Sequence, residues 1–378
     1  MKTVLKILRD IWLIVGITLA CILAFELSAE MLYAFKDRGT GFATLGFLTG
    51  NESQREYIAW EPYTYWKSRP FVSRGINVDA DGNRRTVQPE GRSDSATKIF
   101  MFGGSALWGM FVLDNETIPS LVARELADRG FSNFETTNFA QIGYVSTQEL
   151  IQLIMQLRSG NVPDIVIFYD GVNDTWSAFQ NRVAGWPLSE ENRRKEFEGY
   201  SAGDMLLRHY GAKSALLRAV KDVRDVLSKL QGKVFKQAAS ESRLDAKCDD
   251  ALLTQTVDTY SFNMHLVRLL AKAYGFECFF FWQPTVFSTD TITAADGFNK
   301  RKYGVYNTFF NCAYAKVPFL KNSVHNFYDL QKALGSTEEQ MFFDFCHTKP
   351  NANKTIARLI ADRIAADSKK LLRVTDRR

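Results

Sequence analysis

The stretch "PDIVIFYDG", residues 163–171, sets five apolar or aromatic side chains in an unbroken row between polar, turn-forming ends. A strand with one face in water alternates apolar and polar residues. A continuous run marks a strand buried on both faces, as in a parallel sheet covered by helices. Two further segments share this character, "KIFMFGG" (98–104) and "FECFFFWQP" (276–284). "FETTNFAQ" (134–141) reads as another strand and "HNFYDL" (325–330) as a fifth. Amphipathic segments lie between and after them: "ETIPSLVARELADRG" (116–130), "STQELIQLIMQLRSG" (146–160, with Ser146 as its cap), "YSFNMHLVRLLAKAYG" (260–275) and the closing "NANKTIARLIADRIAADSKKLL" (351–372). Strands alternating with helices at this spacing predict an α/β domain of three layers, α/β/α, around about five parallel strands.

The chain has 378 residues, enough for one large core or a core with an accessory region. Its composition is that of a globular protein, with 46% hydrophobic and 24% charged residues. A net charge of +5 without a dense basic block argues against a nucleic-acid partner.

The amino terminus differs from the rest. Lys2, Lys6 and Arg9 precede "IWLIVGITLACILAF" (11–25), an apolar run of about fifteen residues. A full span takes roughly 20 residues, which the flanking segments could complete. The expectation is an uncleaved transmembrane helix over 1–36, its cationic flank in the cytoplasm and the body extracytoplasmic, periplasmic or at the cell surface. A cleaved signal peptide is the rival. Cys21, in "TLAC", resembles a lipoprotein signal, but the chain stays apolar beyond it. Residues 37–96 read as a linker or accessory segment that packs on the main domain, with a tight turn at "DADGNRR". The main domain is expected over 97–373, interrupted by a charged helical insertion at about 188–250. Cys248, Cys278, Cys312 and Cys346 permit disulfides outside the cytoplasm, in three possible pairings, and Cys278 reads equally well as a buried thiol.

In such a sheet, sites gather at the carboxyl ends of the strands. Ser105 follows the first strand on a Gly103–Gly104 hinge. Gly143 follows the second, Asn173 and Asp174 the third, and Asp344 with His347 precede the last helix. A serine hydroxyl needs an adjacent base, usually a histidine oriented by a carboxylate. Of the four histidines, His209 lies in the insertion, His265 on a helix and His325 before a strand. His347 alone has an acid three residues earlier, on the approach to a helix. Each piece by itself is a common turn or cap.

Their joint order resembles the SGNH, or GDSL-type, hydrolases, whose four blocks supply serine, glycine, asparagine and histidine. Here the blocks are "FGGSALWG", "IGYVST", "DGVND" and "DFCH". The resemblance implies a flavodoxin-like fold, with Ser105 as nucleophile, His347 as general base and Asp344 as its orienting acid. It also implies an oxyanion hole from the N–H groups of Ser105 and Gly143 and the amide of Asn173, with no metal or organic cofactor. Two departures stand out: Gly-Gly-Ser replaces Gly-Asp-Ser, and "TKPNAN" follows the histidine. Leu107 excludes the G-x-S-x-G elbow of α/β-hydrolases. The implied activity is extracytoplasmic serine esterase action, first on O-acetyl groups of a surface or exported carbohydrate. The alternatives are an O-acyltransferase using the same triad, a lipid or lysophospholipid esterase, and a non-catalytic glycan-binding or assembly protein.

Overall fold

The computed structural model describes residues 2–39, 57–89, 95–198, 214, 248–289, 293–335 and 339–371. His209, residues 40–56 of the expected linker and most of the expected insertion lie outside the described residues. The chain divides into two compact units, Met1–Ala43 with Asn192–Asp245, and Thr44–Glu191 with Ala246–Arg378.

In the first unit, α1 (Lys2–Gly39) is one continuous helix. Its apolar run is not buried by protein: Trp12, Ile14, Ile17, Leu23 and Phe25 are all more than half exposed. Among the described residues no helix is long and apolar enough to cross a membrane.

The second unit opens with two short antiparallel pairs, β1 (Ile58–Glu61) with β2 (Tyr65–Ser68), and β3 (Phe71–Val72) with β4 (Asn77–Val78). Five parallel strands follow: β5 (Thr97–Gly103), β6 (Phe134–Asn138), β7 (Ile165–Asp170), β8 (Glu277–Trp282) and β9 (Phe327–Asp329). Their order in the sheet is β6-β5-β7-β8-β9. Every residue of β7 is buried, as its continuous apolar run requires. Registered rings knit the strands together: Phe102 stacks on Phe168 at 5.2 Å, Phe168 meets Phe280 at 5.7 Å, and Phe139 stacks on Phe102 at 5.3 Å.

The helices are α2 (Ser105–Trp108), α3 (Ile118–Asp128), α4 (Ser146–Arg158), α5 (Val172–Asn181), α6 (Glu190–Glu198), α7 (Asp250–Tyr274), α8 (Ala294–Lys302), α9 (Asn307–Lys316), α10 (Leu320–Ser323) and α11 (Pro350–Asp367). The chain leaves β5 for β6 on one side, then crosses back to β7 on the other. Right-handed crossovers therefore put α3 on the opposite face from α4 and α7. The packing follows this division. α3 packs on α11, joined by Arg129 to Asp362 at 2.6 Å, while α7 packs on α4, α5 and α9. The reversal of direction between β5 and β7 opens a crevice at their carboxyl ends.

Several local expectations change. α7 begins at Asp250, ten residues earlier than its apolar periodicity marks, with the Asp249 side chain accepting from the Leu252 N–H. α8 and α9 have no counterpart in the sequence reading. Ser146 does not cap α4; it is the first helical residue, and Val145 precedes it. Cys248 is bonded to Cys312, whereas Cys278 and Cys346 are buried free thiols.

Candidate active site

Ser105 begins α2 directly after β5, so its backbone N–H has no partner within the helix. The glycines before it are there for space rather than for a left-handed backbone. A Cβ on Gly103 would lie 2.7 Å from the Tyr169 carbonyl oxygen of the neighbouring strand. A Cβ on Gly104 would lie 2.1 Å from the amide nitrogen of Asn173. The residue before the nucleophile thus leaves room for the asparagine amide to lie against the chain.

His347 arrives from the other end of the sequence. Residues 342–348 form a tight loop closed by the Phe342–Thr348 bridge and by the Phe343 N–H donating to the His347 carbonyl at 2.8 Å. Within it the Asp344 Oδ1 accepts the N–H groups of Cys346 and His347 at 2.9 and 2.8 Å. The second carboxylate oxygen lies 2.6 Å from His347 Nδ1, and His347 Nε2 lies 2.7 Å from Ser105 Oγ. With Nδ1–H donating to the carboxylate, Nε2 is left to accept the serine proton. Burial works to raise the Asp344 carboxyl, but the His347 charge and these hydrogen bonds outweigh it and bring it down to about 2. It stays ionised beside the imidazole.

Gly143 stands in the turn after β6, where the Tyr144 N–H donates to the Gln141 carbonyl at 3.3 Å. Its φ of +80° is one that a side chain rarely adopts. Asn173 follows the Gly171 bend after β7 and donates one amide hydrogen to the Tyr144 carbonyl at 2.7 Å. Gly171 has φ +114°, and a Cβ there would enter the Trp282 ring at 2.4 Å. The fold thus brings Ser105, Asp344 and His347 into one chain of hydrogen bonds, with the Gly143 turn and Asn173 beside Gly104. His265 and His325 take no part in that chain.

The sequence reading named Asp174 at the end of the third strand without a role, and missed Asn263. Asp174 is buried and accepts from the Ser146 hydroxyl at 2.6 Å and from its N–H at 3.2 Å. Asn263 of α7 donates to the same hydroxyl at 3.0 Å. Asp174 therefore secures the start of α4 to α5 and fixes the helix that carries Asn173. Only the Asn-Asp pairing in "GVND" hinted at it.

Among the described residues, Asp344, Cys346 and His347 are the one group of donor atoms close enough together to share a metal ion. The set fits an ion poorly. His347 Nδ1 is engaged by Asp344, and burial pushes the Cys346 thiol well up, away from the thiolate a metal needs.

No protein-family model and no curated protein matches the chain. Among solved structures, an acetyl xylan esterase is similar at 14% identity, over 71% of this chain and 98% of that one, with a TM-score of 0.35. A lipase/acylhydrolase from Enterococcus faecalis is similar at 12% identity, over 73% and 98% of the two chains, with a TM-score of 0.40.

Proposed function

We propose that this chain, an SGNH-type hydrolase by its fold and site, is a serine esterase acting on O-acetyl groups of an exported or surface carbohydrate. The observation that carries the reaction class is the 2.7 Å approach of His347 Nε2 to Ser105 Oγ, with Asp344 behind the imidazole. Ser105 Oγ attacks the ester carbonyl as its proton passes to Nε2, and the carbonyl π pair moves onto oxygen. The N–H groups of Ser105 and Gly143 and the second amide hydrogen of Asn173 receive that oxyanion. Collapse expels the sugar alkoxide, which takes the proton from His347. Water, deprotonated by the same nitrogen, then attacks the acyl-serine, and collapse releases acetate as His347 returns the proton to Ser105 Oγ. The Asp344 carboxylate holds the needed tautomer and stabilises the imidazolium in both halves.

The acetylated-carbohydrate substrate rests on the four-block resemblance. The exposed apolar side chains of α1, preceded by Lys2, Lys6 and Arg9, support attachment to a membrane with the body outside the cytoplasm.

The test is the full chain in detergent, given a panel of O-acetylated glycans beside synthetic esters of rising chain length, with Ser105→Ala as control. Acetate release from a glycan, lost in Ser105→Ala and faster than hydrolysis of longer acyl esters, is the expected outcome. Preference for long acyl chains would replace the substrate. Failure of Ser105 to take a fluorophosphonate label would overturn the reaction. A reporter active only outside the cytoplasm, fused after Arg378, should be active; a silent one would overturn the topology.

A further inference from the structure

Phe111 is out of place by ordinary backbone rules. Its φ is +69°, a conformation unfavourable for a bulky side chain, in the loop that follows α2. Such strain persists where the surroundings over-determine it, and it clusters at functional sites. Both features are present. The Phe111 ring meets the His347 imidazole edge to face, with centroids 5.3 Å apart and planes at 86°. Its other neighbour is Phe343, at 5.6 Å, on the loop that carries His347.

The backbone there is held by a turn, in which the Val112 N–H donates to the Gly109 carbonyl at 3.3 Å, and by one buried guanidinium that takes the carbonyls at both ends of that turn. The Arg84 side chain is fully buried; its Nε donates to Asp114 Oδ1 at 2.7 Å, and Nη1 and Nη2 reach the carbonyls of Gly109 and Val112 at 3.3 and 2.9 Å. The group also lies 4.6 Å from the Trp108 ring centroid. Arg84 thus grips the loop on both sides of Phe111. It also grips the end of the four-residue helix that Ser105 begins, whose carbonyl accepts the N–H groups of Gly109 and Met110. Nucleophile and base are both referenced to one side chain from the segment ahead of the main sheet.

We propose that Phe111 is a positioning residue for the general base: its ring braces the His347 imidazole toward Ser105, and buried Arg84 fixes the strained backbone that presents it. The inference rests on Ser105 and His347 being the reacting pair.

The test uses the full chain and p-nitrophenyl acetate. Phe111→Gly relieves the left-handed strain but removes a half-buried ring packed on Phe343 and His347, so a merely structural Phe111 predicts a shifted Tm with unchanged kcat. The brace predicts that kcat of the folded variant falls at least tenfold, with KM within about twofold, and that Phe111→Tyr retains wild-type kcat. Arg84→Lys keeps the charge but not the fork, and should lower kcat in the same way; if it does not fold, Asp114→Asn is read in its place. Wild-type kcat in Phe111→Gly overturns the brace, and wild-type kcat in the Arg84 or Asp114 variant overturns the clamp. Activity persisting in Ser105→Ala would instead sink the reaction itself, so the two failures are separable.

Discussion

Asp344 meets His347 with both carboxylate oxygens: Oδ1 accepts the His347 backbone N–H at 2.8 Å, and Oδ2 lies 2.6 Å from Nδ1. One oxygen builds the loop and the other orients the base, so a single substitution can separate the two. Asp344→Asn keeps an acceptor for the backbone N–H groups. In place of Oδ2 it sets an NH2, which donates and so turns Nδ1 into an acceptor. Nε2 then carries the hydrogen and cannot take the serine proton. In a well-studied triad this change costs about 10⁴-fold in kcat. We expect at least a ~30-fold loss here, about 2 kcal/mol, measured as kcat on a soluble ester with circular dichroism showing a folded chain. Activity within a few-fold of wild type would reduce Asp344 to a builder of the loop. His347→Ala should be worse, since among the described residues no other base adjoins Ser105.

Gly104→Ala tests the oxyanion side. The Cβ would fall 2.1 Å from the Asn173 amide nitrogen, the far end of a side chain that can swing away at the cost of its hydrogen bond to the Tyr144 carbonyl. Folding should therefore suffer little, while the amide leaves its place beside the nucleophile. Loss of one oxyanion donor costs about 10²–10³ in kcat. We expect a fall of at least tenfold with KM nearly constant and Tm within a few degrees. An unchanged kcat would show that Asn173 donates nothing from this position.

The sheet was legible because its evidence is local. The apolar runs of β5, β7 and β8 announce strands buried on both faces, and all five expected strands are present. The site was legible as an order of blocks at strand ends, although Ser105 and His347 lie 242 residues apart. Contacts made only through space were not legible. Nothing near Ser146 in sequence shows that its hydroxyl serves Asp174 rather than capping α4. Nothing near Gly104 says that Asn173 occupies its missing side chain. Arg84 sits in a segment that reads as an approach to the domain, and its partners follow about 25 to 30 residues later. The short helices α8 and α9 lack the long amphipathic period that exposed α3, α4 and α11.

Acid stability should carry the mark of Asp344. Its carboxyl titrates near 2 in the folded chain, against about 3.9 when unfolded. A depressed acid contributes stability that is complete above the unfolded value and lost as pH falls through the folded one. The shift corresponds to about 2–3 kcal/mol. Wild type should therefore be more stable than Asp344→Asn by about that amount at pH 6. The gap should close between about pH 4 and pH 2, followed by urea unfolding. A gap that persists unchanged at pH 2 would mean that the stabilisation is not electrostatic.

The alkaline side has the opposite sign. Glu149 of α4 and Asp170, the last residue of β7, are both buried and interact electrostatically, with Tyr260 nearby. Among the described residues, both Asp170 carboxylate oxygens, Glu149 Oε2 and the Tyr260 hydroxyl lack a geometric hydrogen-bond partner. Burial is the largest cause and pushes both carboxyls up. Asp170 and Asp174 add to it at Glu149, while at Asp170 the rise to about 8 comes from burial and Asp174 against the opposing effects of Glu149 and Tyr260. Two buried carboxyls this near each other cannot both ionise cheaply, so the folded chain keeps a proton on the pair. The folded chain therefore binds more protons than the unfolded one from about pH 4 upward. Stability must fall as pH rises through that range and level off above the folded value. We expect Tm to drop between pH 6 and pH 9, and the drop to be smaller in Asp170→Asn, whose amide has no proton to lose. A difference of about 1 kcal/mol would appear as a few degrees. A steeper decline of Tm in Asp170→Asn than in wild type would contradict the shared proton.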